Sequence, residues 1–436
     1  MTSISRTRAE EIIDALRRGT VPETSLESFA VGLGPFRSTL ESELDQCARG
    51  QGRFKAVRGE YGTGKTFFAR WFQSLARERG FATAEVQISE TETPLHRLET
   101  VYRRLAEHLG TAEEPRGALR LIVDGWFYAL EEEIVSRFGT EVDETRLIEH
   151  TDTLMRERLG AIERHAPAFG AVLRAYRRAV ADGKEEIASG LIAWMAGQPN
   201  VSASIKRHAG IKGDIDHFGA LGFLQGLLVI LRDSGFSGLV LVLDEVETLQ
   251  RVRGDVREKS LNALRQLMDE IDAGRFPGLY VLITGTPAFF DGPQGIQRLP
   301  PLAQRLHVEF GKTARFDNPR AVQIRLLPFD MDRLIEVGRN VRDLFATRTE
   351  QTDRIREVVG DTLIADLAAT VTGHLGGKVG VAPRVYLKKL VAEVLDRVDQ
   401  FPDFDPRKDY AITISASELN REEQRALSAD DIELDL

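Results

Sequence analysis

Gly59-Glu60-Tyr61-Gly62-Thr63-Gly64-Lys65-Thr66 places glycines, a lysine and a hydroxyl in the order G-x-x-x-x-G-K-[ST]. Those residue types at that spacing suit the grip on a polyphosphate. Lacking Cβ atoms, the glycines let backbone N–H groups curl around a β-phosphate. A helix opening at Lys65 points its N-terminal amides and its dipole at the same anion. The Lys65 ammonium reaches the β- and γ-phosphates, and the Thr66 hydroxyl is placed to ligate Mg²⁺. The gripping set runs from Gly59 through Phe67, with ATP and Mg²⁺ as the expected ligands. A chance match on a turn would lack a strand before it and a helix after it. Here Phe54-Lys55-Ala56-Val57 reads as a short strand and Phe67 to Arg79 as a helix.

Asp244-Glu245 closes the apolar run Leu239-Val240-Leu241-Val242-Leu243. In that place Asp244 holds the metal, directly or through water, and Glu245 polarises the attacking water. Acids are also favoured at helix N-termini, but the P-loop upstream favours the catalytic reading. Thr284 and Thr286 end the next strand, and ligands of open α/β sheets gather at the carboxyl ends of strands. Either hydroxyl can position the attacking water or sense the γ-phosphate. Plain turn chemistry around Gly285-Thr286-Pro287 is the alternative. Arg305 and Arg384 are candidates to neutralise charge during phosphoryl transfer, in cis or from a neighbour.

The elements that must position these residues follow from periodicity. A helix is expected over 7–18, ended by Gly19 and Pro22, and another from Phe36 to Ala48. Phe68, Phe72, Leu75 and Ala76 share one face of the helix after the P-loop. Phe81 to Ile88 reads as the second strand, so strand, glycine loop, helix, strand forms a βαβ unit of a parallel sheet. Pro94 to Leu231 is mostly helical, with breaks near Pro167, Gly183 and Pro199. Leu119, Ile122, Val123, Trp126, Phe127, Leu130 and Ile134 form one apolar face there. The run at 239–243 suits a central strand buried on both faces. A helix from Ser260 to Ile271, a strand from Leu279 to Ile283 and a short edge strand from Ile324 to Phe329 complete the core. From Asp330 to about Val398 the chain is helical again, and Glu418 to Leu436 is an acidic surface segment.

The fold class is therefore α/β: a parallel-sheet P-loop core with a large helical insertion and a C-terminal helical lid. The division is an N-terminal helical segment at 1–50, core at 51–110, insertion at 111–220, core at 221–329, lid at 330–400 and acidic end at 401–436. There is no internal repeat.

The 436 residues carry 42% hydrophobic and 29% charged side chains, an ordinary globular balance that excludes a disordered chain. No apolar run is long enough to span a membrane, and no secretory signal precedes Arg18. The single cysteine, Cys47, excludes an internal disulfide and a multi-cysteine zinc site, and it suits a reducing cytoplasm. A net charge of −9 argues against non-specific nucleic-acid binding over the whole surface. Local basic groups remain in the insertion: Arg174, Arg177 and Arg178, or Lys206, Arg207 and Lys212.

In order, the P-loop, the helical insertion, Leu243-Asp244-Glu245-Val246-Glu247-Thr248-Leu249, the strand-end threonines and a lid with Pro383-Arg384 resemble the AAA+ ATPases. The closest branch in pattern is that of origin-recognition initiators and STAND-type switches. The resemblance implies a first sensor at Thr284 or Thr286, a second sensor at Arg384 and an arginine finger at Arg305. A narrower likeness lies in Val57 to Thr66, in Pro94-Leu95 with Leu98 and Tyr102, in Thr284-Gly285-Thr286-Pro287-Ala288-Phe289-Phe290 and in Leu302-Ala303-Gln304-Arg305-Leu306. These resemble the ATP-binding proteins of bacterial BREX phage-defence systems. That implies a cytoplasmic ATPase, as a homo-oligomer or in a hetero-complex, acting beside a DNA helicase and a DNA methyltransferase. Origin-recognition initiators carry a winged helix after the lid. The 38 residues after Val398 are too few for one, which puts direct DNA binding in doubt.

Two activities fit these residues. One is a Mg-dependent ATPase that regulates or remodels a DNA-processing partner. The other is a slow nucleotide-dependent switch or scaffold that docks partner proteins without motor activity. A small-molecule kinase shares the P-loop but rarely joins an Asp-Glu pair after the central strand to a long insertion and a lid.

Overall fold

The computed structural model describes residues 4–138, 144–374 and 383–414, with Leu419 and Gln424. Apart from those last two, the acidic end expected from Glu418 to Leu436 lies outside the described residues. Two helices, α1 (Arg6–Arg17) and α2 (Gly34–Ala48), precede β1 (Arg53–Arg58), α3 (Lys65–Glu78), β2 (Phe81–Gln87) and α4 (Leu98–Glu107). Six helices follow: α5 (Leu119–Phe138), α6 (Glu144–Glu163), α7 (Pro167–Ala181), α8 (Glu185–Met195), α9 (Ala203–His208) and α10 (His217–Asp233). The chain then returns through β3 (Gly238–Asp244), α11 (Gly254–Asp272), β4 (Leu279–Gly285), α12 (Pro287–Asp291), α13 (Pro300–Leu306) and β5 (Gln323–Arg325). The last described helices include α14 (Met331–Arg348), α15 (Thr352–Val358), α16 (Asp361–His374) and α17 (Pro383–Lys389), the last running into a π-helical turn, Leu390–Leu395. The strands make one parallel sheet of order β2-β3-β4-β1-β5, the α/β core expected.

The chain forms two compact units. One comprises Glu41–Ala56 and Leu75–Val308. In it β2 pairs with β3 from Phe81↔Gly238 to Gln87↔Asp244, and β3 pairs with β4 from Leu239↔Leu279 to Leu243↔Ile283. Every residue of β3 and β4 is buried, as a central parallel strand requires. The helical block packs on this sheet through α4 against β2 and α10 against β3. Its core is aromatic: Phe223 meets Phe169 edge-on at 5.0 Å, Trp194 at 5.6 Å and Tyr102 at 5.9 Å. The buried indole of Trp126 donates to Asp233 Oδ2 at 2.8 Å, which removes the cost of burying its N–H.

The other unit comprises Met1–Leu40, Val57–Ser74 and Glu309–Leu436. Here α1 packs against α14 and α17. Arg17 grips Asp396 with two nitrogens, at 2.6 and 2.9 Å, and Arg348 adds a third contact at 3.3 Å. Asp330 caps α14 by accepting from the Arg333 N–H at 2.8 Å.

Three boundaries differ from the periodicity reading. The edge strand is Gln323–Arg325 rather than 324–329, because Pro328 has no N–H to offer a ladder. The helix expected from Ser260 starts at Gly254, with Asp255 in its first turn where an acid suits the dipole. β4 continues through Thr284 to Gly285. Pro167 opens α7 at its first turn, where a missing N–H costs nothing.

Candidate functional site

In the unit that holds the P-loop, the loop hangs between the end of β1 and the start of α3. The exit of β1 is held by the Leu326 N–H, which donates to Arg58 O at 2.8 Å, and by Arg58, which donates to Gln323 at 3.0 Å. Gly62 and Gly64 take φ of +82° and +84°, a left-handed turn that side chains resist. At Gly59 a Cβ would lie 2.4 Å from Thr63 Oγ1, so a side chain there would force the Thr63 hydroxyl to shift. Thr63 donates to Glu60 O at 2.8 Å. The Lys65 ammonium is buried and donates to the carbonyls of Gly59 and Glu60, at 3.0 and 3.3 Å, with the Tyr61 ring 5.0 Å away. Phe68 N–H donates to Gly64 O at 2.8 Å and begins the helical ladder. The N–H groups of Lys65, Thr66 and Phe67 precede it, in the place where a helix offers amides to an anion. Phe67 also packs edge-on against Phe29 at 5.3 Å.

In the other unit, β3 delivers Asp244 as its last residue, 4% exposed. Thr284, fully buried in β4, donates from Oγ1 to Asp244 Oδ1. The Glu245 N–H donates to both of these oxygens, Asp244 Oδ1 and Thr284 Oγ1, at 3.1 Å each. Glu245 itself adopts φ +61°, a strained conformation for a residue with a Cβ, which turns its carboxylate away from the buried ladder. That carboxylate accepts from Gln87 Nε2 at 2.9 Å. Gln87 ends β2 and is the register partner of Asp244. It was not among the residues singled out from the sequence. The signal was its place: strand-end residues gather at one edge of a parallel sheet, but that needs the strand order.

The alternatives at the β4 end separate. Thr284 meets Asp244, while Thr286 is the buried N-cap position of α12 and makes no capping bond there. Arg305, on α13, is held by its own chain: Asp269 at 2.5 Å and Asp272 at 3.4 Å. Arg384 lies in the first turn of α17, in the P-loop's unit, and is half-buried beside Gly19. Four of the six basic groups named in the insertion are paired locally. Arg174 pairs with Glu163, Arg177 with Glu131, Arg178 with Asp152 and Lys206 with Asp214.

The glycine-rich loop opens α3, and an ordered acid cluster closes β3 and β4. The family model described as "BREX system ATP-binding protein BrxC/D" matches residues 4–414. The chain belongs to this BrxC/D family. The likeness to BREX ATP-binding proteins read from Val57 to Thr66 and from Thr284 to Phe290, in a chain similar in length to BrxD, falls within that match. No curated protein matches the chain. As a BrxC/D protein it is an ATP-binding component of a phage-defence system, with a place among the other BREX proteins. No described helix is long and apolar enough to cross a membrane.

Proposed function

We propose that this BrxC/D protein hydrolyses the ATP it binds, in the cytoplasm, and uses the cycle to regulate or remodel a DNA-processing partner such as a helicase. The observation that supports hydrolysis beyond binding is the ordered cluster of Asp244, Thr284 and Glu245. Its acids are fixed by hydrogen bonds instead of scattered on a surface. In this reading Gly59 to Phe67 wrap the phosphates, and Lys65 moves from the loop carbonyls to the β- and γ-oxygens. Glu245 accepts a proton from the water that attacks in line, and Arg384 and Arg305 neutralise charge. Thr284 holds Asp244 in place and serves as the first sensor. Each unit carries an oxygen donor of the kind a hard divalent cation takes, a buried carboxylate at Asp244 in one and a hydroxyl at Thr66 in the other, and in this reading these would hold Mg²⁺. Bound there, Mg²⁺ would withdraw charge from the phosphate oxygens.

A second reading, the slow switch or scaffold, is favoured by the Gln87 contact. A carboxylate already accepting from an amide must give up that bond before it can take up the attacking water, so basal turnover would be low until a partner releases it.

The test is ATP binding and turnover by the purified protein, with and without double-stranded DNA. Lys65→Ala is expected to abolish nucleotide binding. Glu245→Gln is expected to keep binding and lose turnover by about 100-fold or more. Intact turnover in Glu245→Gln would remove the catalytic assignment.

A further inference from the structure

A cleft of about 480 Å³ runs along α11, lined among others by His96, His217, Lys259, Arg265, Gln266 and Arg275. Its two carboxylates are already engaged: Glu270 pairs with Arg275, and Asp269 with Arg305. Asp216, beside His217, caps α10 by accepting from the Gly219 N–H at 2.7 Å. That leaves Lys259 and Arg265 with no carboxylate partner among the described residues. The Nε of Arg265 and the Nδ1 of His96 are buried with no hydrogen-bond partner, as is Oε2 of Glu99 close to His96. Arg265 Nε can only donate, and buried donors are normally satisfied, so it points to an absent acceptor, while Glu99 Oε2 and His96 Nδ1 lack partners of their own. Burial, with Arg97, Lys259 and His217 nearby, holds the His96 imidazole below its ordinary value, so at neutral pH it serves as a hydrogen-bonding group and not as a cation.

Beside this cleft stands Phe218, 77% exposed, its ring edge-on to His217 at 5.4 Å. An exposed phenyl ring against His217, at a cleft whose Lys259 and Arg265 have no carboxylate partner among the described residues and whose Asn262 amide donates to Glu258 O at 2.9 Å, has a specific chemical complement. The ring stacks on a flat base, and the cations take the phosphodiester that follows it. Paired bases are already stacked on each other and cannot reach such a ring, so the complement is a single strand.

We propose that the cleft along α11 is a binding site for single-stranded nucleic acid. A base stacks on Phe218, the backbone phosphate lies against Lys259 and Arg265, and Asn262 and Gln266 face the base edges. The negative net charge of the chain confines the contact to this groove and makes the affinity modest. The site is independent of the P-loop, so its failure and that of the ATP reading are told apart by measuring ATP binding on the same samples.

Fluorescence anisotropy with a labelled oligo-dT, an oligo-rU and a DNA duplex, across a salt series, tests it. The expected result is salt-dependent binding of one or both single strands, at least tenfold tighter than the duplex. Phe218→Ala is expected to weaken it about tenfold with the salt slope unchanged. Lys259→Glu should weaken it by more and flatten the slope. Both side chains are exposed, so neither variant threatens folding, and retained ATP binding confirms it. Equal affinity for the duplex, indifference to both substitutions, or displacement by equimolar inorganic pyrophosphate would each overturn the proposal, the last by reducing the cleft to a small-anion site.

Discussion

Thr284 and Gln87 do different work on the same acid pair. Thr284 donates to Asp244 and accepts from the Glu245 backbone, so one buried hydroxyl orients both acids. Thr284→Val keeps the shape and removes both bonds. Turnover is expected to fall about tenfold or more, with ATP affinity changed far less, read as separate kcat and Kd values. Gln87 acts on the carboxylate alone. A hydrogen bond of this kind is worth about 0.5–1.5 kcal/mol, so Gln87→Ala is expected to raise basal turnover up to roughly tenfold. A fall in turnover would instead make Gln87 a positioning residue that the reaction needs. The loop around Lys65 and the strand end at Asp244 were legible from residue order, because the P-loop pattern and an acid pair after an apolar run are local patterns. Thr284 against Thr286 was not decidable locally, since both hydroxyls end the same stretch. Only the register of β4 beside β3 brings one of them to Asp244.

At the scale of elements, α2, β1 and β4 are tied by a buried polar cluster. Glu43 receives Lys55 at 2.6 Å and the Tyr280 hydroxyl at 2.6 Å, with Lys55 only 2% exposed and Tyr280 fully buried. Burial lowers the Lys55 pKa and the Glu43 charge opposes that; burial raises Tyr280 well above its ordinary range. Breaking one side of a buried pair leaves a charge with no compensation. Glu43→Gln is expected to destabilise by about 3–5 kcal/mol, measured as a shift of the urea midpoint without nucleotide. A change under about 1 kcal/mol, the range of an exposed ion pair, would show that water reaches Lys55. No reading of the sequence could find this cluster, because Glu43 and Tyr280 are 237 residues apart. The strands themselves were legible: five consecutive aliphatics at 239–243 leave few alternatives to a strand covered on both faces.

At the scale of the whole chain, two expectations can be checked. Cys47 is fully buried, and desolvation pushes its thiol up to about 12. The folded protein is therefore expected to be inert to an aromatic disulfide reagent at neutral pH, and to release one equivalent of thiolate once unfolded in urea. Arg305 is held by Asp269 and Asp272 at the surface, and such pairs are worth only about 0–1 kcal/mol. Its release to a neighbouring subunit therefore costs little. If oligomers form, specific turnover is expected to rise with protein concentration, and Arg305→Ala to lower it at least about tenfold with ATP affinity near normal. Turnover independent of concentration and of Arg305 would leave that residue a structural one.

What the sequence alone determined is the set of features written in short range. The P-loop, the acids after a buried strand, the alternation of strand and helix and the family likeness each need only neighbours along the chain. Strand order, the contact of Thr284 with Asp244, the grip of Gln87 on Glu245 and the pairing of Arg174, Arg177 and Arg178 were decided by tertiary structure. The reason is physical. Periodicity reports which face of an element is buried, because burial follows apolar spacing. It carries no record of which distant side chain meets that face, since hydrogen bonds and ion pairs depend on the register of elements far apart in the chain.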